Sequence, residues 1–148
     1  MGWEGTNPAD WARRAQAQIL AVKRGAVQEL AKEMTTTIPN GGRVPVKTGN
    51  LARSLVMSTG TIPMTAKAGT VFASQDFGAD LLNVELGETV YLGYQANSAR
   101  RMNYGFVGTD SLGRNYNQAG HGFVEAAAAK WPSIVARVAA DVREKMGS

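Results

Sequence analysis

Two stretches of the chain repeat apolar residues every three or four positions, and a stretch of shorter apolar runs lies between them. In the first, Trp11, Ala15, Ile19, Val22, Ala26, Leu30 and Met34 share one helical face, while Arg13, Arg14, Lys23, Lys32 and Glu33 mostly lie elsewhere. The spacing predicts a helix over residues 8–34. Asn7 or Thr6 suits its cap, Pro8 its first turn and Asp10 its positive end. Gly25 costs up to about 1 kcal/mol relative to Ala in mid-helix, which points to close approach by a neighbour. Thr35-Thr36-Thr37 and Pro39-Asn40-Gly41-Gly42 end the element. In the last stretch, Phe123, Ala127, Trp131, Ile134, Val138 and Val142 predict a second long helix over residues 123–146, kinked at Pro132. Asp141 and Lys145 form a favourable pair four residues apart on it.

Between the helices the pattern predicts strands at residues 55–59, 69–74 and 89–94, the last being the most β-like in composition. Residues 76–88, with two glycines and four carboxylates, are predicted to loop over the surface. Asn97 suits the cap of a short helix running through Met102. Residues 105–122 are rich in Gly, Asn and Ser and are predicted as a long loop, with Asp110-Ser111-Leu112-Gly113 as a type I turn. The order helix, strands, helix predicts an α+β fold. In it the long N-terminal and C-terminal helices pack on one face of a small antiparallel sheet and bury both apolar stripes.

Residues 44–54, Val-Pro-Val-Lys-Thr-Gly-Asn-Leu-Ala-Arg-Ser, stand apart from these periodicities. Pro45 fixes its own φ and pushes Val44 toward extended geometry. Gly49 permits angles that other residues avoid, and Thr48 suits a helical cap. Leu51 and Leu55 then fall on one side and Arg53 on another. The segment shapes a loop and positions a strand, and contains no arrangement for bond-making chemistry.

The 148 residues fit one domain with one sizeable core, and 44% hydrophobic with 19% charged content places the chain among globular proteins. No apolar run approaches the roughly 18 residues that a membrane span needs. The first residues lack a basic stretch followed by an apolar one, so no signal peptide is predicted. With no cysteine, disulfides, thiolate nucleophiles and Cys-ligated zinc are excluded. The net charge of +4 is spread over pairs such as Arg13-Arg14, Lys23-Arg24 and Arg100-Arg101, which reads as a solvated surface. With a pI near 9.6, a nucleic-acid-binding module stays open as a second reading.

Candidate chemistry is sparse. The single histidine, His121, lies between Gly120 and Gly122 and completes neither a multi-His metal site nor a Ser-His-Asp arrangement. Asp76, Asp80, Glu85 and Glu88 lack the alternating ligand spacing of a calcium loop. Gly105, Gly108 and Gly113 are not followed by the Lys-Ser/Thr of a phosphate loop. No catalytic residue, metal site or cofactor is predicted, and an enzyme is not expected.

In combination, Pro45-Val46-Lys47-Thr48-Gly49-Asn50-Leu51-Ala52-Arg53-Ser54 after a long helix, Arg101-Met102-Asn103-Tyr104-Gly105 later, and Phe123-Val124 opening the final helix form an ordered pattern. It resembles the tail-completion or neck family of long-tailed bacteriophages, the minor tail or head–tail connector proteins, over about residues 11–142. Two positions depart from that pattern: Lys47 stands where Asp is frequent, and Asn103 where Glu is frequent. The resemblance implies that residues 1–148 form one head–tail joining domain of the virion, made in the host bacterial cytoplasm. The domain would sit at the neck or head-proximal tail end.

It further implies a ring of copies of the chain, sixfold to match the tail tube, joining the filled head to the tail around a channel for DNA. The implied neighbours are a head-closure or connector protein on one side and a tail terminator or tail tube protein on the other, with no membrane. A tail terminator capping the tube is the related alternative. Subunit or partner contacts are expected at Arg53, Arg101, Asn103, Asp110, Leu112, Arg114 and Tyr116. Transient contact with DNA in the channel is expected at Arg43 and Lys47.

Overall fold

The computed structural model describes residues 7–46, 49–109 and 115–146, with the strands at 105–109 and 115–119 described by their backbone. It begins with α1 (Pro8–Thr35), 28 residues long. The Asn7 side chain accepts the Asp10 N–H at 2.9 Å, and Pro8 occupies the first turn, where its missing N–H costs nothing. At the other end, the Thr35 and Thr36 hydroxyls donate to the Ala31 and Lys32 carbonyls at 2.9 and 2.6 Å. The Thr36 bond thus satisfies a last-turn carbonyl that would otherwise be orphaned, while Thr35 bonds back onto its own turn. A 3₁₀ turn (Ile38–Asn40) follows, and the chain returns so that Val44 makes a parallel bridge with Thr37 and is fully buried.

After a single-turn helix α2 (Asn50–Arg53), strand β1 (Leu55–Ser58) pairs antiparallel with β2 (Tyr91–Tyr94), Leu55 opposite Tyr94 and Ser58 opposite Tyr91. The Gln95 N–H donates to the Ser54 carbonyl at 3.0 Å and extends the pairing by one bond. Within the region predicted as a loop, α3 (Phe77–Leu81) forms under an Asp76 cap. Helix α4 (Ala99–Tyr104) runs into strand β3 (Gly105–Thr109), which pairs with β4 (Asn115–Ala119). The chain ends in α5 (Phe123–Ala129) and α6 (Trp131–Met146). The α+β class, with long N-terminal and C-terminal helices on a small antiparallel sheet, is as the sequence predicts.

Three expectations are corrected. Residues 69–74 form no strand, because side chains rather than a neighbouring strand satisfy their backbone. Residues 105–122 are largely a hairpin, not a loop, and the predicted turn at its tip lies outside the described residues. The final helix is two helices. Pro132 cannot donate to residue 128 and its ring crowds that carbonyl, so α5 stops at Ala129 and α6 begins at Trp131, with one residue between them.

Packing centres on the second half of α1. Ala26 meets Ile134 and Val138, Ala31 and Met34 meet Leu55 and Ala127, and Val27 meets Leu81 and Val84. Small residues make the α1–α6 approach close: a Cβ on Gly25 would stand 2.7 Å from Val138 Cγ1. Ion pairs Glu33–Lys130 (2.9 Å) and Glu29–Arg137 (3.3 Å) line the outer seam, each worth at most about 1 kcal/mol at this exposure.

Tyr94 joins the parts. Its ring meets Phe123 edge-on, with centroids 5.2 Å apart, and its hydroxyl donates to the Met34 carbonyl at 2.5 Å, near the end of α1. Burial pushes this phenol above its ordinary value of 10.0.

Gly25→Val is expected to destabilise the chain by about 1–3 kcal/mol, and Val138→Ala in the same chain to recover part of that loss, as read by urea denaturation. The Tyr94 shift sets a second expectation. Below pH 10 the phenol is protonated in the folded and unfolded chain alike, so its contribution is complete. As the pH climbs past 10 the unfolded chain ionises first and stability falls. The decline is expected to be shallower in Tyr94→Phe, which denaturation at a series of alkaline pH values will measure.

Candidate interaction surface

Residues 49–54 act as a clamp. Gly49 adopts φ 79°, and Arg53 folds back over it, its guanidinium filling the space that a Cβ would need. From this turn the Asn50 amide reaches a separate segment: Nδ2 donates to the Thr70 carbonyl and Oδ1 accepts the Phe72 N–H, both at 2.8 Å. Arg53 Nε donates to the Phe72 carbonyl at 3.1 Å, and Gln75 accepts the Met57 N–H at 2.8 Å. Two side chains therefore do for residues 70–72 what a strand would do. Ser54, fully buried, donates its hydroxyl to the Leu51 carbonyl at 2.7 Å. Arg53, expected at a subunit contact, thus holds this segment in place.

Asn103, the second expected contact residue, is 4% exposed and faces inward. Helix α5 begins at Gly122, which has φ 60° and no side chain to cap it. Asn103 supplies that cap from α4: its Oδ1 accepts the Val124 N–H at 2.9 Å, and its Nδ2 donates to Glu125 at 3.0 Å. Hydrogen bonds from its own backbone N–H and from Asn103 hold the Glu125 carboxyl below the usual carboxylate range. The Asn103 carbonyl also takes the Gly122 N–H, and the Met102 carbonyl takes that of His121. A Cβ on Gly120 would meet Asn103 O at 2.4 Å, so glycine is required there. The side chain expected to reach another subunit is consumed inside its own chain.

The remaining expected residues divide by location. Arg101 is exposed on α4, and Arg43 is exposed after the 3₁₀ turn. Tyr116 pairs with Gly108 across the hairpin. Lys47, Asp110, Leu112 and Arg114 lie outside the described residues. The hairpin follows directly from α4, against which β3 packs. Five residue pairs join its strands, and among the described residues no third strand borders either edge.

A second surface went unnoticed in the sequence. The apolar stripe of α1 is only half covered: Trp11 is 67% and Ile19 58% exposed. The cause is length. Twenty-eight helical residues span about 42 Å, whereas a four-residue strand spans about 13 Å, so the helix overhangs the sheet. Between α1, α6 and β2 a groove of about 860 Å³ lies open, floored by Val22, Ala26, Leu30, Leu92 and Val135. Lys23 and Arg143 stand on its lining, and no acidic residue does. Ile19 and Trp131 complete its walls.

Many of the charges scattered in the sequence have internal duties. Arg24 donates to the Val84 carbonyl at 2.7 Å, and Lys23 to those of Glu85 and Glu88. Asp76 caps α3, Asp80 accepts from Gln75, and Glu88 accepts the Glu85 N–H at 2.7 Å. Among the described residues no group of three His, Cys, Asp or Glu is placed to hold a metal, and no helix is long and apolar enough to cross a membrane. No family model, curated protein or solved structure matches the chain.

Asn50→Ala is expected to release residues 69–74 while leaving the helices folded. Hydrogen exchange at Phe72 should then accelerate by roughly tenfold or more, the equivalent of losing one hydrogen bond of about 1.4 kcal/mol.

Proposed function

We propose that the chain is a structural virion protein of the neck or tail end of a long-tailed bacteriophage, forming a ring that joins the filled head to the tail around a channel for DNA. One observation carries the reading most. The two segments behind the resemblance are pinning points of the fold, and between the second of them and the final helix stands a hairpin. The first segment clamps residues 70–72, and the second caps α5. A ring needs head-to-tail contacts in which one face docks on a different face of the next copy. A hairpin at one place and an uncovered apolar groove at another are two different elements from which such faces could be built.

In this reading the neighbours are a head-closure or connector protein and a tail terminator or tube protein, the ring is sixfold, and passing DNA meets exposed basic side chains such as Arg43. Phage lacking the protein should accumulate filled heads and separate tails that fail to join, visible by electron microscopy of lysates. Normal infectious particles in its absence would defeat the proposal.

A further inference from the structure

The turn after α1 carries a reactive pair of residues. Of the asparagines in the chain, only Asn40 precedes a glycine. Gly41 has no side chain to shield its backbone nitrogen, so that nitrogen can reach the Asn40 amide carbon and displace ammonia. Both residues are exposed to water, Asn40 at the end of the 3₁₀ turn and Gly41 at its cap with φ 89°.

The closed turn holds the two reacting groups apart. The Gly41 N–H donates to the Ile38 carbonyl at 3.1 Å, so the attacking nitrogen is occupied. The Asn40 side-chain amide donates to the Thr37 hydroxyl at 2.9 Å, which turns it back along the chain, away from Gly41. Asn40 also sits in the helical geometry of a 3₁₀ residue, whereas ring closure needs its ψ rotated out of that range. The turn is fixed at its base. The Asn40 and Gly42 N–H groups both donate to the Thr37 carbonyl at 2.9 Å, and the Ile38 N–H donates at 2.9 Å to the carbonyl of the fully buried Val44. Gly42 packs against the chain so closely that a Cβ there would stand 2.0 Å from the Thr36 carbonyl oxygen.

We infer that Asn40 is a self-modification site gated by this turn: it deamidates through Gly41 when the turn opens and is protected while the turn is closed. The inference stands apart from the neck reading. In the open chain the Gly41 nitrogen gives its proton to hydroxide and forms a bond to Asn40 Cγ. The Cγ–Nδ2 bond breaks, ammonia leaves, and a five-membered succinimide remains. Water then opens the ring on one side or the other. Breaking the bond to Cγ gives an aspartate, and breaking the bond to the main-chain carbonyl gives an isoaspartate whose backbone runs through the side chain. No oxidant or reductant is needed.

The two products differ in what they do to the turn. The aspartate keeps the backbone path, and its carboxylate accepts a bond from the Thr37 hydroxyl with donor and acceptor exchanged. The isoaspartate adds a methylene to the backbone inside the turn. The Gly41–Ile38 and Gly42–Thr37 bonds then lose their geometry, and the turn cannot close again. Either product places a carboxylate in residues 34–75, which hold Arg43, Lys47, Arg53 and Lys67 and no acidic residue.

Peptide mapping tests this directly. Trypsin cuts after Lys32 and Arg43, and the peptide 33–43 holds no Asn or Gln besides Asn40. The chain is kept in mildly alkaline buffer, folded or with enough urea to unfold it, and the peptide is followed by mass spectrometry. Conversion from amide to acid is expected in both, roughly tenfold or more slower in the folded chain. A protease that cuts before aspartate separates the two products. Thr37→Val removes the hydroxyl that holds the Asn40 amide, so it should speed conversion about fivefold in the folded chain and leave the rate in urea unchanged. Asn40→Asp should melt with the intact chain, whereas the isoaspartyl form, isolated by ion exchange, should melt roughly 3–6 °C lower.

Equal rates in the folded and unfolded chain would overturn the gating, and an inert Asn40 in urea would overturn the site itself. A Thr37→Val chain that converts at the parental rate when folded would remove the part given to that hydroxyl. An isoaspartyl chain that melts with the intact one would show that the turn tolerates the added methylene, against the inference.

Discussion

Tyr94 is the point on which the rest of the structure depends. It ends β2, pairs with Leu55 of β1, packs edge-on against Phe123 at the start of α5, and hydrogen-bonds the Met34 carbonyl near the end of α1. Sheet, N-terminal helix and C-terminal helices are thus tied through one side chain. Its ring touches the buried clusters on both sides of it, one around Val44, Leu51 and Phe123 and the other around Ala31, Met34 and Leu55. A tyrosine suits the place because its body is apolar while its hydroxyl reaches a carbonyl that the helix leaves unpaired.

A recurrent device in this chain is a side chain standing in for missing secondary structure. Asn50 acts as the edge partner that residues 70–72 lack, and Asn103 acts as the cap that Gly122 cannot provide. Both are asparagines, which carry a donor and an acceptor on one planar group and so satisfy backbone groups of either kind. Both segments therefore hold neighbouring parts of the fold in place. Elsewhere an apolar groove between α1 and α6 stays open.

Much of the fold is legible in the sequence, and the misses have particular causes. The period of α1 and its two ends could be read because the Asn7 cap, Pro8 and the threonine run act locally. The strand at 91–94 could be read because Tyr, Leu and Tyr favour a pleated, half-buried surface. Residues 69–74 misled because β-like composition does not reveal whether a partner strand exists. The hairpin at 105–119 was hidden because Gly and Asn favour turns locally, while its pairing joins residues up to fourteen apart. Of the expected contact residues, Asn103 is buried in its own chain, since a motif shows spacing but not direction. The groove gave one legible signal, an apolar stripe on α1 longer than any strand that follows.

The sequence by itself determined the two amphipathic helices, their helix-ending signals, the α+β class and the absence of thiol chemistry, because these follow from composition and from contacts within a few residues. Only the tertiary structure decided which half of the α1 stripe is covered, that Asn50 and Asn103 work within the chain, and that a groove remains open. Those outcomes depend on the relative lengths and positions of elements far apart in the chain. A 28-residue helix laid on four-residue strands must leave apolar surface exposed, and no local pattern records where.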